Sequence, residues 1–379
     1  MKILESMKTP DLEFGPEWAL LELLCLGLTT PDERQAFEEL LQSAPLSWGE
    51  LMEQALRHKM MPLLSFHVLS AEHTETVPRR VKDHFRSVLD LNRHKRGMWY
   101  TEADRIIKAL AERDVQVVGR KDLAFESTLY GGNGSRRLGD LDLLVAPQDR
   151  DTVIETLPQL GYQMGMYDWQ TKVIAPIPRK HLMIFRLNPD HVPIHSLLTG
   201  DPVVQWIEVD FANSLTWTRS PFDVPVEAAM EEIIYQPVTG LPEIEIPCLT
   251  PPFQFISTTL HLFREAWFER WLDWEQDVDL TKFSDVVRLW KAYRDLLATD
   301  EFVHTLEKFE IIAPVAWVLE HLDRTLHTGA VSALGLEGRV TEDWLFSGAA
   351  SGKQLYHWTG TMRQRLQCKD RRQLFADIK

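Results

Sequence analysis

Residues 115–145 read VQVVGRKDLAFESTLYGGNGSRRLGDLDLLV, and the fold of the chain turns on this stretch. It opens on a short apolar run, Val115, Val117 and Val118, and breaks at Gly119. A segment of helical pattern follows, with Leu123, Ala124, Ser127 and Leu129 as its less polar face. Gly131, Gly132 and Gly134 make a turn. The closing run, Leu138, Leu141, Leu143, Leu144 and Val145, has strand character but carries Asp140 and Asp142. Strand side chains alternate between faces, so these two carboxylates point the same way. Side by side in an apolar strand they repel one another and lose water, and both effects favour protonation. A divalent cation removes both penalties, and Mg²⁺ takes hard oxygen ligands of this kind. Two acids on an exposed strand face would give the same pattern by chance. The glycine break and Arg136 upstream tilt the balance toward a metal site.

The chain has 379 residues, enough for two or three domains, and its 44% hydrophobic residues suit a globular core. A net charge of −15 argues against a dedicated nucleic-acid binder, whose affinity comes largely from neutralising phosphates. Cys25, Cys248 and Cys368 lie far apart with no CxxC, which fits a reducing cytoplasm and offers no zinc site. The N-terminal MKILESMKTPDLEF lacks an apolar signal core. No apolar run approaches the ~20 residues of a membrane span. The expected location is cytoplasmic.

Residues 1–113 read as a helical region, 114–249 as an α/β core and 250–379 as a second helical region. In the first, Ser47 with Glu50 three residues on has the form of a capping box. Pro78 starts a long helix on which Arg79, Arg86 and Arg93 recur every seven residues. A solvated helix face is the plain explanation, and a rim facing a phosphate-bearing substrate is the functional one. Glu102 to Ala111 completes this region. In the core, residues 162–187 contain β-like runs, notably His181 to Leu187, and Val203 to Phe211 is a strand carrying Glu208 and Asp210 on one face. Ile244 to Leu249 reads as the last strand. Beyond it, helices are expected at Phe253 to Phe268, Trp271 to Tyr293, Phe302 to Phe309 and Ala313 to Leu326, with Tyr356 to Ile378 as a last helix or a tail. His191 and His195 have four-residue spacing, but Pro193 opposes a helix there and ordinary loop histidines are the simpler reading.

Nucleotidyl transfer needs the parts that meet in the core. A glycine and the amides of a helix start let backbone N–H groups approach phosphate. Carboxylates hold one or two Mg²⁺ ions, which bridge triphosphate oxygens and activate an acceptor hydroxyl. An arginine near the turn neutralises phosphate charge, and Arg136, beside Arg137, is placed for this. The residues alone leave the third carboxylate open between Glu208 and Asp210.

VGRKDL (Val118 to Leu123), LY (Leu129, Tyr130), RRLGDLDLLV (Arg136 to Val145), KHL (Lys180 to Leu182) and IEVDF (Ile207 to Phe211) follow one another in that order. In this the chain resembles the bacterial uncharacterised nucleotidyltransferase family, within the polymerase-β-like superfamily. The resemblance extends to about residue 290. Its most specific piece is RxxxDxDLLV. It implies an α+β fold, with a polymerase-β-like core flanked by helical parts, and a nucleotide donor, an NTP, used with Mg²⁺ or Mn²⁺. It also implies metal ligands at Asp140, Asp142 and Glu208, with Asp210 shaping the acceptor side where relatives carry histidine. Gly119, Arg120, Lys121, Arg136 and His181 would contact the nucleotide. Arg120 stands where relatives carry glycine, with Lys121 beside it as a substitute for their lysine. Relatives beside peptide natural-product genes suggest tailoring of a small molecule or peptide. The alternatives are a toxin-like transferase acting on tRNA or protein and a degenerate member that only binds.

Overall fold

The computed structural model describes residues 14–43, 45–187, 190–351 and 354–376. The N-terminal stretch up to residue 13, Pro189 and the C-terminal end at Ile378 lie outside the described residues. The chain forms two compact units, residues 1–88 with 255–379 and residues 89–254. The helices before Val88 and those after Phe255 thus share one unit.

The unit 89–254 is built on a mixed sheet. Its strands are β1 (Val117–Gly119), β2 (Leu141–Val145), β3 (Gln163–Asp168), β4 (Val173–Pro176), β5 (His195–Leu198), β6 (Trp206–Ala212), β7 (Ile233–Val238) and β8 (Leu241–Leu249). Their order across the sheet is β4-β3-β5-β6-β2-β1-β8-β7. β2 lies well inside it and all its residues are buried, as the near-continuous apolar run LDLLV requires. β6 runs parallel to β2, with Leu141 opposite Val209 and Asp142 opposite Asp210. Ile207, Val209 and Phe211 of β6 are buried, whereas Trp206, Glu208 and Asp210 on the alternate face are partly exposed. Here the sequence was legible: period-two alternation places the acids on one side.

Gly119 has a packing reason. A Cβ there would lie 2.6 Å from Ile246 Cγ2 on β8, so only glycine lets β8 close against β1.

The unit 1–88 with 255–379 is mostly helical, with a small hairpin of Ser347–Ser351 and Gln354–His357. Trp18, Trp317, Phe255, Phe263 and Phe283 are among its fully buried side chains. Among the described residues no helix is long and apolar enough to cross a membrane.

Local expectations fail in four places. Ser47 is the residue before helix Trp48–Arg57, but its side chain makes no cap bond; its own N–H donates to Glu17 Oε1 at 2.5 Å. His181 to Leu187 lies in the helix Arg179–Leu187 rather than in a strand, an ambiguity inherent in short apolar runs. Trp271 to Tyr293 is interrupted: Glu269–Asp273 ends, and Leu280–Ala292 begins under a cap in which Lys282 N–H donates to Asp279 Oδ1 at 3.0 Å. The last helix or tail expected at Tyr356 to Ile378 is, over its described residues, the end of the strand Gln354–His357, the short helix Met362–Gln367 and a turn at Arg371–Leu374.

Candidate active site

The site is assembled from the glycine turn inward. Asn92, on helix Arg79–Ala111, donates from Nδ2 to the carbonyls of Gly134 at 2.7 Å and Arg136 at 2.6 Å. Glu126 is fully buried, pairs with Arg96 and accepts the Gly134 N–H at 2.9 Å. Gly132 sits at φ +66°, and a Cβ there would lie 2.3 Å from Thr239 Cβ, so glycine is obligatory at that point of the turn. A second clamp closes the loop. Asp122, in the first turn of helix Lys121–Thr128, takes the Arg136 guanidinium on Oδ1 and the Gly139 N–H on Oδ2 at 2.8 Å. The residue just before Asp140 is thereby fixed.

Asp140, Asp142 and Asp210 then converge. One carboxylate oxygen from each lies within 4.8 Å of the others. The parallel register accounts for this, because adjacent strands run about 4.8 Å apart and Asp142 faces Asp210 directly. Lys121 Nζ lies 2.8 Å from Asp142 Oδ1. Lys121 holds this place at φ +40°, a strained value for a residue with a side chain. The Arg120 N–H donates to the Asp142 carbonyl at 2.9 Å. His191 Nδ1 lies 3.1 Å from Asp210 Oδ1.

The electrostatics differ among these acids. Burial, with the charge of Asp142, raises Asp140 well above the ordinary carboxylate range. Burial also opposes ionisation of Asp210, but His191, Lys121 and Arg120 outweigh it and hold this carboxyl below its ordinary value. Burial and the charge of Asp210 push Glu208 up. Lys121, His191 and Arg120 therefore face three clustered aspartates. Three hard oxygen donors at this spacing fit a divalent cation such as Mg²⁺ or Mn²⁺.

The structure sorts the residues singled out in the sequence. Asp140, Asp142 and Asp210 come together. Glu208, to which the resemblance gave the third ligand position, shares their face but lies outside the group, and its side chain has no hydrogen bond or ion pair with the described residues. Of the two acids of β6, Asp210 and not Glu208 lies with the pair. Lys121 and Arg120 border the cluster. Arg136, expected on the phosphates, is only 5% exposed and engaged by Asp122 and, at 5.6 Å, by the Tyr130 ring. His181 is exposed on helix Arg179–Leu187, and the histidine that meets the cluster is His191. His195 pairs with Val209, on the strand face opposite the acids. Arg79 and Arg86 approach Asp83 on their own helix, at 3.8 and 2.7 Å, and Arg93 approaches Asp90 at 3.8 Å. Arg79 and Arg86 show the pattern of a solvated helix face, whereas Arg93 also reaches the glycine turn, where its Nε donates to the Asn133 carbonyl at 2.9 Å.

Sequence reading missed Asn92, Asp122, Glu126 and His191 as builders of the site. Asp122 carried a local signal, an acid directly after the Gly-Arg-Lys break, and the others are joined to the site only by folding.

No curated protein and no solved structure matches the chain. A family model described as uncharacterised nucleotidyltransferase matches residues 44–327, which take in the glycine turn, the three aspartates and His191. The chain belongs to the uncharacterised nucleotidyltransferase family.

Proposed function

We propose that the protein transfers a nucleoside monophosphate from an NTP to an acceptor, on a polymerase-β-like core of the kind found in bacterial enzymes. The observation that carries this reading is the convergence of Asp140, Asp142 and Asp210 from two parallel strands, in a chain of this family. These three would hold Mg²⁺ or Mn²⁺. The cation would supply charge neutralisation at the phosphate oxygens and lower the acceptor's proton affinity.

The chain's own residues have separate tasks. The start of helix Lys121–Thr128 points backbone N–H groups toward an anion. Lys121, now on Asp142, can bridge to a phosphate oxygen from the same place. His191 orients Asp210, as residues behind a metal ligand commonly do. Arg136 and Asp122 hold the loop rather than the substrate. The acceptor oxygen attacks the α-phosphorus and pyrophosphate leaves. With a net charge of −15, a small molecule or peptide acceptor suits the chain better than nucleic acid, and tailoring of a peptide natural product in the cytoplasm is the setting we favour.

A second reading is a degenerate binding module. Lys121 favours it, since its ammonium already supplies Asp142 with a counter-charge. Incubation with each labelled NTP and Mg²⁺ or Mn²⁺, with and without cell extract, separates the two. Pyrophosphate release with a labelled product is the expected result. Thermal stabilisation by NTP without turnover under any condition would favour the module.

A further inference from the structure

Trp206, Glu208 and Asp210 occupy alternate positions on β6 and share one face. Each step of two residues advances about 7 Å along the strand. Glu208 therefore stands one step from the aspartate cluster, and Trp206 stands two. The pairing of Ser196 with Glu208 and of Gln163 with Ser196 puts Tyr167, on β3, on the same face. The Tyr167 and Trp206 rings are stacked, with centroids 4.4 Å apart and an interplanar angle of 1°. Tyr167 Oη donates to Gln205 Oε1 at 2.5 Å, which fixes the ring. Trp169 meets Trp206 edge-on at 4.5 Å and is 68% exposed.

We propose that Glu208 and the Tyr167–Trp206–Trp169 aromatic group form a subsite for a cationic, ammonium-bearing part of the ligand. A carboxylate that is partly out of water and has no partner is costly. Glu208 is such a group among the described residues. Aromatic faces attract cations, and no lysine or arginine of the described residues lies over these three rings. A cationic ligand would supply the complementary charge. A neutral planar ligand could stack on the rings but would leave Glu208 unused.

The position says which substrate this is. β2 lies between β1 and β6 in the sheet. Lys121 and the helix start, which face the nucleotide in the proposed reaction, follow β1. The subsite lies on the β6 and β3 side and so belongs to the acceptor. Only the word acceptor rests on the nucleotidyl-transfer reading; the subsite does not.

The test is a binding measurement on the full chain without turnover. Benzylammonium and the isosteric neutral benzyl alcohol are titrated by ligand-observed NMR into wild type, Glu208→Gln and Trp206→Leu. We expect benzylammonium to bind wild type about tenfold more tightly than benzyl alcohol. Glu208→Gln should erase that preference, and Trp206→Leu should weaken both probes. Equal binding of the two probes to wild type, no binding of either, or a preference that survives Glu208→Gln overturns the subsite. Thermal stabilisation by NTP with Mg²⁺ is measured on the same samples and should be equal in wild type and Glu208→Gln. If wild type prefers the cation but no NTP stabilises it, nucleotidyl transfer fails and the subsite stands. If NTP stabilises it and the preference is absent, the reverse holds.

Discussion

Two groups of charge, one in each unit, are built on different rules. In the helical unit, Asp277 has no exposed surface, and two arginines meet it. Arg365 donates to Oδ2 from Nε at 3.1 Å and from Nη2 at 2.9 Å, and Arg371 donates to Oδ1 from Nη1 at 2.5 Å. One anion is answered by two cations. In the sheet unit three aspartates meet Lys121, His191 and, through its charge on Asp210, Arg120. Burying charge costs several kcal/mol per ion unless it is paired. Gathering three acids brings mutual repulsion that a single paired acid avoids, and the proposed function accounts for it with a divalent cation.

The contrast is sharpest when carboxylates are neutralised. Asp140→Asn with Asp142→Asn should abolish pyrophosphate release and leave the far-ultraviolet circular dichroism unchanged. Turnover at the wild-type rate would end the distinction between the two groups. Asp277→Ala should do the opposite. It strands two buried guanidiniums and should cost about 3–5 kcal/mol in urea unfolding. A loss below about 1 kcal/mol would mean that the arginines find water or other partners.

A smaller effect tests the histidine. Removing a residue that orients a metal ligand costs about 10–100-fold in activity or metal affinity. His191→Ala should fall in that range with little change in stability, whereas His181→Ala should leave activity unchanged. Equal effects from the two would return the histidine role to the position that sequence resemblance chose.

The smallest effect is in pH dependence, measured with chelator present. Asp140 has a folded value above its unfolded one of about 3.9. In that window the native state binds more protons, so stability falls as pH rises, and it stays lowered above the folded value. Asp140→Asn should therefore be more stable than wild type at pH 7. Asp279, in the helical unit, has the opposite shift: burial is outweighed by Lys59 and Lys282, which depress it. Its stabilisation is full above about 3.9 and is lost as pH falls toward the depressed value. Asp279→Asn should lose stability at pH 7 and show a shallower acid limb. Shifts of the same sign at both sites would contradict the comparison.

What the sequence disclosed follows the range of each interaction. The DxD strand, the glycine turn and the acidic β6 face were readable because alternation and turn chemistry are local. Whether Asp210 or Glu208 meets the pair is set by the register of β6 on β2, which joins residues 68 positions apart and leaves no local trace. Arg136 shows a related limit. A cation near a phosphate site looks the same in sequence whether it faces substrate or, as here, Asp122. His191 was named but dismissed, because Pro193 speaks about helices and not about what a loop can reach.

The pairing of β6 with β2 also behaves like a ratchet with two kinds of tooth. A slide of one residue would bring Val209 or Phe211 beside Asp142 and turn Trp206, Glu208 and Asp210 to the other face together. A slide of two in one direction would keep the face and set Glu208 where Asp210 stands, exchanging one acid for a longer one. Length changes within this strand therefore fall into two classes: odd ones erase the site, and an even one in that direction hands the third carboxylate to its spare.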